Sequence, residues 1–135
     1  MVDPNVLISA AISSRGAPRR LLEAWHAGGF RMLVSYDLLY ELEAVLMRPW
    51  FRRKLIYSDV VEYVMWIREH SDFVPEAMGM AEISPDPDDN YLIALAFAPG
   101  ADYLVTQDRR HLLDLADVVG PFRIVHPREF LVLLR

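Results

Sequence analysis

Apolar positions along the chain switch repeatedly between a helical period of 3.6 and short strand-like runs. Met1 to Asp3 reads as the stub of a strand, and the stretch around Val6 to Ile12 as a helix. A second helix is predicted over Ala17 to Ala27, ended by Gly28-Gly29. Phe30 to Val34 is a short apolar run that predicts a buried strand. Ser35 then caps a helix whose Leu38, Leu39, Leu42, Val45 and Leu46 share one face, and Pro49 breaks it. Ser58 to Glu69 is amphipathic, with Val61, Val64, Met65 and Arg68 at helical spacing. Phe73-Val74 follows as a candidate strand, and Met80 to Ile83 leads into the next turn.

Ser84-Pro85-Asp86-Pro87 is both a breaker and a helix start, because Pro87 suits the first helical position with Asp86 as its cap. That helix is expected to run to about Ala98. Asp102 to Thr106 (DYLVT) predicts a buried strand, Arg109 to Leu115 a helical turn, and Phe122 to Val125 a last strand. Pro127 opens a final helix through Phe130, Leu131 and Leu134. Strands and helices in alternation predict an α/β fold with a parallel sheet covered on both faces, in which sites form beyond the carboxyl ends of the strands.

Composition narrows the chemistry. The 135 residues suit one domain spanning 1–135, and 53% hydrophobic against 24% charged predicts a packed core. The absence of cysteine excludes disulfides, thiolate zinc sites and thiol catalysis, and fits a reducing cytoplasm. The start MVDPNVLISAA has no basic region of the kind that opens a signal peptide, and no apolar stretch reaches the roughly 20 residues of a membrane-spanning helix. A cytoplasmic protein without a membrane partner is expected. The net charge of −5 lacks the basic balance usual in nucleic-acid binders, yet divalent cations bound by clustered acids reverse the local sign.

The acids fall where such a site would form. Asp3 ends the first strand, Asp108 lies just past DYLVT, Asp88 and Asp89 occupy the first turn after SPDP, and Glu41 is early in the helix after the Phe30–Val34 run. Two carboxylates about 4 Å apart repel by about 4 kcal/mol at an effective dielectric of ~20, so a cluster of them calls for a cation. An oxygen-only donor set without Cys or spaced His selects Mg²⁺ or Mn²⁺ over Zn²⁺. Each acid also has a plainer reading: Asp3 as a turn residue, Asp86, Asp88 and Asp89 as helix-start charges that complement the dipole, and Asp108 with Arg109-Arg110 as a surface pair. Glu41 and Glu43 lie equally far from the apolar stripe, so periodicity does not separate them.

At these same residues the chain resembles the PIN domain family. Asp3-Pro4-Asn5-Val6-Leu7 looks like the family's opening motif, and Ser35-x-x-Leu38-x-x-Glu41-Leu42 its second. Asp89 followed by Leu92, Ile93 and Ala96 resembles the third, and Thr106-Gln107-Asp108 the fourth. Ile124 to Leu131 is similar to a subgroup of VapC-like toxins. The resemblance implies a three-layer, Rossmann-like α/β/α sandwich with a central parallel sheet. It implies a Mg²⁺- or Mn²⁺-dependent ribonuclease and an antitoxin partner; a homodimer is expected besides, through one of the apolar helix faces. Asp3, Glu41, Asp89 and Asp108 would be catalytic and hold metal, Asp88 standing as a further candidate ligand, while Asn5 and Thr106 would orient ligands from behind. Two departures stand out: only Met1-Val2 precede Asp3, and Pro4 stands where Thr is more usual.

Arg48-Pro49-Trp50-Phe51-Arg52-Arg53-Lys54 is a basic-aromatic cluster. Arg48, Arg52, Arg53 and Lys54 are candidates for contacting RNA phosphates, against the plainer expectation that Trp50 and Phe51 pack into the core. The histidines share no metal spacing. Two other functions compete with the nuclease: a PIN-like module that binds RNA or protein without turnover, and an aspartate-nucleophile phosphatase. The latter wants a second Asp two residues after the first, where the chain has Asn5.

Overall fold

A computed structural model describes residues 1–74, 101–107 and 122–134. Its elements are α1 (Pro4–Ile12), α2 (Ala17–His26), β1 (Leu33–Val34), α3 (Tyr36–Leu46), α4 (Pro49–Arg52), α5 (Tyr57–His70), β2 (Asp72–Phe73), β3 (Tyr103–Val105), β4 (Arg123–Val125) and α6 (Pro127–Leu133). The architecture is mixed α/β with short parallel strands. Leu33 and Val34 pair with Asp72 and Phe73, and Tyr103 to Val105 pair with Arg123 to Val125, both in parallel.

The expected single central sheet is fragmented among the described residues: two parallel pairs, with Val2 joined to Val105 by an isolated parallel bridge. The predicted strand at Met1 to Asp3 is reduced to that bridge, held by Asp3 N–H to Val105 O and Val105 N–H to Met1 O, both 2.9 Å. The predicted strand over Phe30 to Val34 narrows to its last two residues. Val2 and Leu33 both line a cavity of about 430 Å³, so the pieces lie close without completing a ladder between them.

The helices arise as their sequences require. In α3 the buried Leu38, Leu39, Leu42 and Leu46 form one stripe, and the buried Ser35 Oγ accepts from Leu38 N–H at 3.2 Å as its cap. Each such leucine gains roughly 1.5–3 kcal/mol on burial. Pro49 does end this helix, and also opens α4, a short helix the pattern had not indicated. α1 is apolar nearly all round, with Val6, Leu7, Ile8 and Ala10 buried, as suits a helix enclosed by neighbours. It packs on both α2 and α3, and α3 packs on α5. Tyr63 of α5 ties α5 to α1 by donating its hydroxyl to Leu7 O at 2.7 Å, and burial raises its pKa.

The α2 face at Leu21, Leu22 and Trp25 is core, whereas Met65 of α5 is exposed. Gly28, at φ +82°, makes the left-handed turn after α2. Among the described residues no helix is long and apolar enough to cross a membrane.

Candidate active site

Asp3 follows Val2, the residue bridged to β3, and immediately precedes α1. Its backbone is extended (φ −60°, ψ 135°), the conformation of a helix cap, and its Oδ1 accepts from Asn5 N–H at 3.0 Å. Pro4 occupies the first helical position, where a missing N–H leaves no intrahelical bond unmade. The substitution of Pro for the more usual Thr therefore leaves the cap intact, because the capping amide belongs to Asn5.

The other carboxylate oxygen, Oδ2, accepts from Thr106 Oγ1 at 2.7 Å, a short bond of the kind a charged acceptor makes. Thr106 follows the last residue of β3, and its own N–H donates to Val125 O at 2.9 Å on β4. Both side chains are enclosed: Asp3 is 3% exposed and Thr106 is fully buried. One carboxylate is thus fixed through both oxygens, by a helix amide and by a hydroxyl from the end of a parallel strand. An ionised carboxylate accepts about four bonds in all, so ligation of a cation is compatible with both. The positive end of α1 also favours negative charge at this point.

Further bonds lie at the ends of β3 and β4. Ser9 Oγ of α1 donates to Gln107 Oε1 at 3.3 Å, a second link between α1 and the end of β3. His126, directly after β4, caps α6 by accepting from Arg128 N–H through Nδ1 at 3.2 Å. Neither Gln107 nor His126 was singled out by sequence reasoning. His126 was legible as a cap from Pro127, since a proline at the first helical position puts its predecessor at the cap. Asn5 contributes its backbone to the site, and as a residue it is exposed.

Glu41 lies on α3 and is half-buried, whereas Glu43 is exposed. α3 packs against α1, which brings the helix carrying Glu41 against the helix that Asp3 caps. Asp86, Asp88, Asp89 and Asp108 lie outside the described residues. Among the described residues no three Asp, Glu or His side chains gather closely enough to hold a metal ion.

A protein-family model described as a PIN domain matches residues 1–110. The chain belongs to the PIN domain family. PIN domains are generally metal-dependent nucleases with an α/β/α fold, and the matched stretch takes in Asp3, Glu41, Asp89 and Asp108 together. Neither the curated proteins nor the solved structures yield a significant match.

The donor chemistry at Asp3 fits the divalent ion this family generally uses. A carboxylate backed by a hydroxyl and an amide presents hard oxygen to a hard cation, and the described residues place no Cys beside it. Thr106 fixes the orientation of the Asp3 carboxylate through its 2.7 Å bond to Oδ2.

Proposed function

We propose that the protein is a Mg²⁺- or Mn²⁺-dependent endoribonuclease, with Asp3, Glu41, Asp89 and Asp108 holding the metal. The observation that carries the reading is Asp3 itself: a buried carboxylate at the end of a parallel bridge, clamped through both oxygens, within a chain of the PIN family. A divalent cation would add a further hard-oxygen contact to this already hydrogen-bonded carboxylate. A metal bound there would polarise the phosphodiester and lower the pKa of an attacking water. The chain's own residues do the rest. Thr106 and the Asn5 amide hold the Asp3 carboxylate by both oxygens, and Glu41 lies half-buried on α3, the helix that packs on α1. Asp88 is a further candidate ligand beside Asp89.

The same reading makes the protein the toxin of a type II toxin–antitoxin pair, with a cognate antitoxin and a homodimeric state, in a three-layer sandwich with a central parallel sheet. These finer features rest on the motif resemblance, including the toxin-like run from Ile124 to Leu131. Incubating purified protein with single-stranded RNA in Mn²⁺ tests the central point. Cleavage is expected, stopped by EDTA and lost in Asp3→Asn. Cleavage that survives either treatment contradicts the proposal, and metal binding without turnover favours a PIN-like binding module instead.

A further inference from the structure

The segment between α3 and α5 carries a feature that the metal site does not use. From Ala44 to Ser58 the chain has no acidic residue and four cations: Arg48, Arg52, Arg53 and Lys54. In a chain of net charge −5 this is a local reversal of sign. The structure shows what the aromatics among them do. Phe51 is half-buried against the core, but Trp50 is 50% exposed and Tyr57 58% exposed. The expectation that Trp50 packs into the core is therefore wrong. Phe51 anchors α4, and the indole, edge-on to it at 4.7 Å, stays at the surface. Each exposed ring carries a cation: Lys54 Nζ lies 4.9 Å from the Trp50 centroid, and the Arg52 guanidinium 5.7 Å from that of Tyr57.

We infer that α4 and its flanks form a docking platform for single-stranded nucleic acid, with Trp50 and Tyr57 stacking unpaired bases and Arg48, Arg52, Arg53 and Lys54 neutralising phosphates. Exposed indole and phenol rings interleaved with cations are what a strand with free bases and a charged backbone requires. A duplex keeps its base faces covered and has no use for the rings. Half of the Trp50 ring stays open to water, which sets it apart from the buried Trp25.

The platform begins where α3 ends. From Glu41 to Met47 the helical rise is about 9 Å, a gap that roughly three nucleotides at the ~3.4 Å spacing of stacked bases would cross between Glu41 and the start of the platform. In this role the platform deepens the nuclease proposal, since it would hold substrate beyond the cleavage point. Its binding, however, needs no metal.

The test is fluorescence anisotropy of a labelled single-stranded RNA about ten nucleotides long, in EDTA, with the full chain. Trp50→Ala should weaken binding about 5- to 150-fold, the loss of one stacked base, and Trp50→Phe should restore much of it. Arg52→Ala with Arg53→Ala should lower the slope of log affinity against log salt by about 1.4. A dinucleotide and a duplex of the same sequence should bind more weakly than the single strand and barely respond to Trp50→Ala. If Trp50→Ala and the double arginine variant bind the strand like the parent, the platform is overturned. A protein-docking role for these residues gives that same result. Cleavage does not enter this readout: a chain that binds through Trp50 but never cuts loses the nuclease proposal and keeps the platform. One that cuts with binding indifferent to Trp50 does the reverse.

Discussion

Replacing Thr106 by Val removes one hydroxyl from a fully buried position while keeping the shape of the side chain. The hydroxyl donates at 2.7 Å to Asp3 Oδ2, so a bond to a charged group is lost with no water to replace it. Bonds of this type contribute about 1.5–3 kcal/mol. For a chain this size, 1 kcal/mol moves the thermal midpoint by about 3–5 °C, so the midpoint should fall by about 5–15 °C. Thr106→Ser separates the hydroxyl from the methyl: it keeps the donor and loses one buried carbon, which costs about 1 kcal/mol. Urea titration followed by tryptophan fluorescence reads both variants. Val should cost more than Ser. The same bond orients Asp3, so Val should also weaken Mn²⁺ binding about 10- to 100-fold, as losing a partner behind a ligand does. A Thr106→Val protein that is as stable as the parent, or loses less than the Ser variant, would refute this assignment of the bond.

Tyr63→Phe removes the hydrogen bond from α5 to Leu7 O and should cost about 0.5–1.5 kcal/mol by the same titration. Burial raises this phenol's pKa above its ordinary value of 10.0, with Arg19 acting weakly the other way. The stability it protects is fully present below about pH 10 and should decline above it, because the unfolded chain ionises first. Tyr63→Phe should flatten that alkaline decline, and a decline unchanged in the variant would contradict the assignment. At Gly29 a Cβ would meet the backbone oxygen of Ala24 at 2.9 Å, so Gly29→Ala should lose about 1–3 kcal/mol, read as a lower midpoint in urea.

The helices were the legible part of the fold, because each announces itself by a stripe and a stop. Leu38, Leu39, Leu42 and Leu46 with Ser35 before them and Pro49 after them fixed α3, and Pro127 fixed the start of α6. Strands of two or three residues carry too little pattern to bound, so the apolar run over Phe30 to Val34 predicts a longer strand than forms, and Met1 to Asp3 predicts a strand where only a bridge forms. α4 escaped because four residues make barely one turn, and Pro49 reads equally as a stop or a start. At the candidate site, Asp3 and Thr106 were legible from motif order, and the bond between them joins residues 103 positions apart. The Ser9–Gln107 link was not legible, since neither residue is unusual alone. Asp88, Asp89 and Asp108 remain expectations of motif spacing, as they lie outside the described residues.

Isothermal titration of Mn²⁺ into the parent and Asp3→Asn proteins addresses the metal site without needing the right RNA. Asparagine can keep both contacts, accepting from the Asn5 amide through Oδ1 and donating from Nδ2 to a turned Thr106 hydroxyl, so the variant should fold with nearly parental stability. The parent should bind Mn²⁺ and gain about 1.4 kcal/mol of stability at tenfold excess over Kd, while Asp3→Asn should do neither. Equal Mn²⁺ binding by the two proteins would contradict the claim that Asp3 is a metal ligand.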